Sequence, residues 1–563
     1  MSGADGRLNT ASCVTVYQSF RAISKLIGSW KNAPDIRPPL KSEVGSKTPA
    51  TNRPQMHRDR QILVLDYGSQ FNLLITRRLR ELGVYSELLS PPAKWDSSEF
   101  SDVKAVILSG GPQSVYQEGA ATLPEGLLES GIPLLGICYG MQLLCHKLGG
   151  TVSSAPRREY GPAKLSHVET HPLLNGVNVG QVCWMSHGDK VSQLPDGFST
   201  IAETADSLAV VAHESRHLYG FQFHPEVSHT QCGMELLKNF LTLAQCEFDW
   251  TPSHFIEDAV AEIREKVGSA KVACALSGGV DSAVAAALVG RAIGDQLTCL
   301  FVDHGLLRQG ESERVLELMN EANLKVRRLD AEEMFLGRLA GVTDPEQKRK
   351  IIGHSFIEAF DQALATEDVT FLVQGTLYPD IVESGTGHAA TIKTHHNVGG
   401  LPESMKLKLL EPLRELFKDE VRRVGTELGL PDSVVHRQPF PGPGMAVRVL
   451  GAVSKERLDI ARAADAIATS EIEAALPWDN RPWQYYAALL PVRSVGVMGD
   501  GRQYGETVAV RAVRSHDAMT ADVYPLDYAL LERIAVRIVN EVEGVNRVVY
   551  DITPKPPGTI EWE

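Results

Sequence analysis

The chain has 563 residues, 43% hydrophobic and 22% charged, with a formal net charge of −14. That length exceeds a single core and implies roughly two to four domains of an ordinary globular composition. The acidic balance argues against a nucleic-acid partner, no apolar run reaches the length of about 18 residues that spans a membrane, and the eight cysteines, without CxxC spacing, read as reduced cytosolic thiols.

Residues 1–60 hold ten Lys or Arg against four acids, and Pro34, Pro38, Pro39, Pro49 and Pro54 break any helix from the middle onward. The segment 1–57 therefore reads as a disordered basic extension. Val14–Trp30 is free of acids and fits a mitochondrial transit peptide. A start codon upstream of a true start at Met56 fits the same composition.

From Gln61 the pattern becomes β/α. QILVLD (Gln61–Asp66) is a buried-strand run, Gln70–Leu82 has helical spacing, and AVILSGGP (Ala105–Pro112) is a strand entering a glycine turn. Pro133–Gly150 reads strand, turn, helix, closed by a glycine pair. Within it, Gly136-Ile137-Cys138-Tyr139-Gly140 has the nucleophile-elbow layout with cysteine in place of serine. The N-terminus of the following helix favours a thiolate. A thiolate needs a proton shuttle held by a third group. His224-Pro225-Glu226, after the apolar run Tyr219–Phe223, puts both on one turn. Gly110, Gly111 and the Tyr139 N–H are candidates for an oxyanion hole. The other histidines here, His187 among them, read as structural or surface residues.

A second β/α series follows the boundary Glu247–Thr251. KVACAL (Lys271–Leu276) is a strand, Ser282–Ile293 a helix, and Leu297–Asp303, Lys325–Ala331 and Thr370–Thr376 are further strands. Between the first strand and helix lies Ser277-Gly278-Gly279-Val280-Asp281-Ser282. Turn amides and the helix's first N–H groups converge there, so a phosphate is the expected guest. Gly278 and Gly279 are free to take positive φ, and Asp281 and Ser282 suit capping or a phosphate-bound Mg²⁺. The Lys-Ser/Thr ending of a Walker A loop is missing. After His436 the alternation fades. Phe440–Gly444 (FPGPG) is a rigid turn, Val495–Asp500 reads as a strand ending in a glycine turn, and the chain closes on Lys555–Glu563 (KPPGTIEWE). The expected fold is α/β: two successive parallel-sheet domains over 58–248 and 249–437, then a smaller α+β unit over 438–563.

The SGGVDS loop resembles the pyrophosphate loop of the N-type ATP pyrophosphatases. The first series resembles the class I glutamine amidotransferases, with Cys138, His224 and Glu226 at the positions of their Cys-His-Glu set. From about Arg60 to Glu563 the chain is similar to the glutamine-hydrolysing GMP synthetase family. SGGP, GICYGMQ, HPE, SGGVDS, FVDHGLLR, KRKIIGH, QGTLYPD, IKTHHNVGGLPE, FKDEV, FPGPG, VGVMGDGR and KPPGTIEWE carry the likeness. The extension has no counterpart in that pattern.

The resemblance implies glutamine hydrolysis through a thioester, adenylylation of xanthosine monophosphate (XMP) by Mg-ATP, and displacement of AMP by ammonia to yield GMP. It implies ATP on Ser277, Gly278, Gly279, Val280, Asp281, Ser282 and Ala283, with Asp303 at adenosine or metal. Asp281 is the metal candidate, Lys393 belongs to a lid, and Arg349, Lys555 and Glu561 are candidates for XMP. It further implies a homodimer joined through the last domain, and the cysteine usage adds the expectation of a cytosolic protein. Rival readings are other users of this loop (NAD synthetase, argininosuccinate synthetase, tRNA thiolases) and a nucleotide-binding regulatory module with an idle glutaminase. The intact Cys138, His224, Glu226 and loop argue against the last of these.

Overall fold

Apolar tetrapeptides build the first sheet. In chain order the elements are β1 (Ile62–Leu65), α1 (Asn72–Glu81), β2 (Ser86–Leu89), β3 (Ala105–Leu108), β4 (Leu134–Ile137) and α2 (Tyr139–Lys147). β5 (Thr151–Lys164), β6 (His167–Val168), β7 (Val182–Gln193), β8 (Ser199–Glu203), β9 (Leu208–His213), β10 (Leu218–Phe221) and α3 (Gly233–Leu243) complete the unit. This computed structural model describes residues 60–322, 324–365, 367–385, 407–498, 501–515 and 520–563. Lys393 lies outside the described residues.

The strand order is β2-β1-β3-β4-β10-β9-β8-β6. β2 through β10 run parallel, and β9, β8 and β6 continue the sheet antiparallel. β1, β3, β4 and β10 are buried along their whole length, as expected where helices cover both faces of a parallel sheet. β5 and β7 form a separate antiparallel ribbon in which Glu159 faces His187.

The second unit runs α4 (Pro252–Val267), β11 (Lys271–Leu276), α5 (Val280–Ile293), β12 (Leu297–Asp303), α6 (Glu311–Glu321), β13 (Val326–Asp330), α7 (Glu332–Leu339) and α8 (Pro345–Leu364). It continues with β14 (Val369–Val373), α9 (Tyr378–Gly385), β15 (Lys408–Leu410), α10 (Lys418–Glu427) and α11 (Asp432–Val435). Its five strands are all parallel, in the order β13-β12-β11-β14-β15. Strand addition reverses between β11 and β14, and that switch point is where open α/β sheets bind ligands. α5 buries residues around most of its circumference because α4, α6 and α10 share one core with it.

In the third unit, α12 (Lys455–Ala475) and α13 (Tyr528–Glu541) pack on a sheet of β16 (Gln484–Met498), β17 (Gly501–Arg514), β18 (Asp522–Val523) and β19 (Val545–Asp551). β17 is central, antiparallel to β16 and β18 and parallel to β19. The described residues belong to one compact unit. Its first two sheets meet at Arg80 of α1, whose guanidinium is wholly buried and lies 4.7 Å from the Tyr85 ring and 4.6 Å from the Tyr378 ring. Arg80 reaches Glu420 at 3.4 Å, and Trp250 Nε1 donates to the same carboxylate at 2.5 Å. A buried arginine needs such a counter-charge, and the rings around it stabilise the cation further.

Candidate functional site

Cys138 stands between β4 and α2 at φ 51° and ψ −105°, a left-handed conformation that a residue with a Cβ adopts only under constraint. The constraint is visible in its neighbours. A Cβ added to Gly140 would lie 2.2 Å from the Leu108 carbonyl oxygen, and one on Gly136 would lie 2.4 Å from the Met141 nitrogen. Only glycines allow the chain to turn so tightly. The Cys138 N–H donates to Phe221 O at 2.7 Å and the Gly140 N–H to Ser109 O at 3.1 Å. The Tyr139 amide sits between two that are already used.

His224 follows β10. Its Nδ1 lies 2.7 Å from Glu226 Oε1, and both side chains are buried. Burial alone would lower the His224 pKa, but hydrogen bonds to Cys138 and Glu226 outweigh it and push it up to about 10. The Phe71 ring meets the imidazole edge-on at 5.3 Å, and Arg78 Nε donates to the Glu226 backbone oxygen at 3.0 Å. Gly110 packs against the same ring, since a Cβ there would be 3.2 Å from His224 Cε1. The structure thus brings Cys138, His224, Glu226, Gly110 and Tyr139 to one place.

His187, read from the sequence as structural or surface, is buried beside this place. Its Nε2 lies 3.1 Å from Glu159 Oε2 across the β5–β7 ribbon, and the carbonyl of its neighbour Ser186 lies 3.6 Å from Cys138 Sγ. Burial holds the His187 pKa below the usual imidazole value despite the opposing Glu159. Nothing in the sequence near His187 marks this, because the contact arises from strand pairing.

At the switch point, Gly278 takes φ 73° while Gly279 stays extended at φ −80° as the N-cap of α5. The expectation of positive φ therefore holds at Gly278 and is corrected at Gly279. The capping expectation is corrected at Asp281, because α5 begins without a side-chain cap on its first amides. Asp281 instead pairs with Lys418, whose Nζ lies 2.6 and 2.5 Å from its two carboxylate oxygens. Ser282 Oγ accepts from the Ser277 N–H at 3.3 Å and donates to Gly279 O at 3.1 Å. A Cβ on Gly375, just past β14, would lie 3.2 Å from Asp281 Cβ, which closes the far side of the crevice. Asp303 ends β12, where hydrogen bonds from Ser312 and Arg328 overcome the effect of burial and hold its carboxyl below the ordinary value.

The tail is pinned, not frayed. Lys348 is wholly buried, donates to Ala446 O and Val449 O at 3.0 and 2.9 Å, and pairs with the Glu563 carboxylate. Arg349 Nη2 donates to Glu563 O at 2.5 Å. Glu561 accepts from Arg448 at 3.0 Å and Gln484 at 2.7 Å, while Arg511 donates to the backbone oxygens of Thr553, Thr559 and Ile560. Lys348, Arg448 and Arg511 were not legible from the sequence, which shows only a dense basic run at Lys348–Lys350. Lys555 pairs through its backbone with Ala521.

Fold and site together define a glutamine amidotransferase joined to a nucleotide-using synthetase. Residues 63–244 match the family model "Glutamine amidotransferase class-I", residues 253–349 "NAD synthase", and residues 471–562 "GMP synthase C terminal domain". The chain is 56% identical over 506 residues to the glutamine-hydrolyzing GMP synthase of Geobacillus kaustophilus, covering 89% of this chain and 99% of that one. It is 55% identical over 507 residues to that of Listeria monocytogenes, covering 89% and 98%. The chain belongs to the glutamine-hydrolysing GMP synthase family. The likeness to NAD synthase is confined to the segment that carries the nucleotide loop.

Proposed function

We propose that Cys138, His224 and Glu226 generate the ammonia this enzyme consumes, and that the loop Ser277–Ala283 holds the ATP that activates its acceptor. The reaction is the glutamine-dependent amination of XMP to GMP, with ATP cleaved to AMP and pyrophosphate. The observation that carries the assignment of residues is the Cys138 elbow, set against a buried His224–Glu226 pair.

Cys138 Sγ attacks the glutamine side-chain carbonyl carbon. The His224 imidazolium, held by Glu226, gives its proton to the leaving ammonia. The amides of Gly110, Gly111 and Tyr139 face the developing oxyanion. Water, deprotonated by His224, then cleaves the thioester to glutamate. In the second unit the C2 oxygen of XMP attacks the α-phosphorus of ATP, pyrophosphate leaves, and ammonia displaces AMP from C2. The amides of Ser277–Ala283 at the start of α5 bind the phosphates, with Asp303 at adenosine. Arg349, Lys555 and Glu561 are proposed for XMP, because the tail lies against the start of α8. Lys393 remains the proposed lid cation.

Among the described residues no cluster of three or more His, Cys, Asp or Glu is placed to cage a metal. Asp281, one carboxylate at the phosphate-binding end of α5, suits a Mg²⁺ that arrives with the nucleotide and takes its other ligands from phosphate and water. Bound there, Mg²⁺ would neutralise charge on the departing pyrophosphate.

The third unit exposes Val495 (46%), Val497 (74%) and Tyr504 (64%) together on the β16–β17 hairpin, an apolar set that supports a homodimer formed through this unit. The seven described cysteines are all buried and unbonded, which supports a reducing compartment, the cytosol. No helix among the described residues is long and apolar enough to cross a membrane. The deciding experiment supplies XMP, ATP and glutamine to the purified protein. GMP with AMP is the expected product pair. AMP formed with another acceptor, or no turnover, would sink the assignment.

A further inference from the structure

We propose that Arg437 is a positioning residue of the ATP loop, an inference that rests on the reading of Ser277–Ala283 as the ATP site. Arg437 lies 159 residues after Gly278, yet its Nη1 donates to the Gly278 carbonyl at 2.6 Å. Its Nη2 pairs with Glu311, which is only 5% exposed. Glu311 opens α6, where the helix N-terminus favours a carboxylate, and its second oxygen accepts from the Arg308 N–H at 3.3 Å. The guanidinium fork is thus gripped from both sides.

The consequence follows from peptide geometry. A peptide unit is planar and trans, so the direction of the Gly278 carbonyl sets the opposite direction for the Gly279 N–H. Arg437 draws that carbonyl to the rear of the loop. The Gly279 N–H then points to the side where the Ser277 and Ser282 hydroxyls gather, 3.4 Å from Ser277 Oγ. That is the side on which phosphate oxygens would meet the loop amides. Gly278 at φ 73° has no side chain to resist a flip of this peptide, so the loop itself does not enforce the orientation. Arg437 does. A lysine would not replace it, because one ammonium cannot present the fork that spans a carbonyl and a carboxylate.

Beside the loop lies a cavity of about 620 Å³ lined by Gly278, Ser282, Arg308, Glu311 and Arg437. A small cation from solvent can therefore reach the place the guanidinium occupies, which supplies the test. In the full chain, with XMP and ammonium chloride as co-substrates, Arg437→Ala raises the KM for ATP by about tenfold or more, the effect expected for one lost charge-assisted hydrogen bond. The KM values for XMP and ammonia stay unchanged, and millimolar guanidinium chloride restores ATP affinity toward the parent value. Arg437→Lys recovers little. Glu311→Gln, a milder change that only loosens the fork, shifts KM for ATP in the same direction and serves if Arg437→Ala does not fold.

Two results overturn the inference: a KM for ATP within about twofold of the parent in the folded variants, against the loss expected for such a bond, or a folded Arg437→Ala that guanidinium does not rescue. Asp281→Ala separates this from the underlying reading. Pyrophosphate release retained in that variant would move the ATP site elsewhere. An inactive Asp281→Ala beside normal ATP affinity in the Arg437 and Glu311 variants would sink the role of Arg437 alone.

Discussion

Lys418 Nζ sits 2.5 Å from one carboxylate oxygen of Asp281 and 2.6 Å from the other, so the first acid of α5 is held by the first residue of α10, 137 positions away. The pair is half-exposed, and its contribution to stability is small, of the order of 1 kcal/mol or less. Its value is positional: it fixes the carboxylate at the start of α5, with both oxygens on the one ammonium. Asp281→Ala is expected to abolish pyrophosphate release with glutamine or with ammonium salts as nitrogen source, while the thermal midpoint changes little. Pyrophosphate assays with both donors check it.

Cys138 serves the other half of the reaction. Cys138→Ala removes the nucleophile without altering the second unit, so glutamine-driven GMP formation should disappear and ammonium-driven formation should persist. Parallel assays with the two donors check this. Equal loss in both would place Cys138 outside the glutaminase.

The His224 pKa, pushed up to about 10, predicts a pH profile. A raised folded pKa means that the imidazolium paired with Cys138 and Glu226 is kept through neutral pH and lost as pH rises through about 10. Glutamine hydrolysis should therefore fall on an alkaline limb near that value. Glu226→Gln removes a charge that raises the pKa, so the limb should move to lower pH. An alkaline limb that does not move in this variant would show that Glu226 does not set the protonation of His224.

His304 behaves in the opposite sense. Buried against Phe335 and Phe356, with Nδ1 accepting from the Leu306 N–H at 3.0 Å, it has its pKa driven down to about 4 by burial. A depressed histidine favours the fold while neutral. That stabilisation is complete above an unfolded value of about 6.5 and is lost as pH falls toward 4, with an upper bound of about 3 kcal/mol. The thermal midpoint should drop over that window, and His304→Gln should flatten the drop. Identical slopes in the two proteins would exclude His304 as the titrating group.

Both glycine turns could be read from the chain because their chemistry is local. A buried strand, a few small residues and a helix follow one another without gaps at Cys138 and at Ser277–Ser282, and contiguity brings the amides together. His224 and Glu226, two residues apart, are legible for the same reason. Details of conformation were not. Whether Gly278 or Gly279 turns left-handed, and whether Asp281 caps α5 or meets Lys418, depends on groups that pack against the loop from elsewhere.

The amino-acid sequence by itself determined the two parallel-sheet units, the order of the catalytic parts and the family, since these rest on short-range periodicity and on motifs within one turn. Tertiary structure alone decided that His187 lies beside Cys138, that Lys348 and Arg349 receive the last residue of the chain, and that Arg437 and Glu311 grip the loop at Gly278. Each of these links joins positions between 48 and 215 residues apart. At such separations chain connectivity imposes no proximity. Burial does: a charged group taken from water is retained only where packing supplies a partner, and which partner is a property of the folded core.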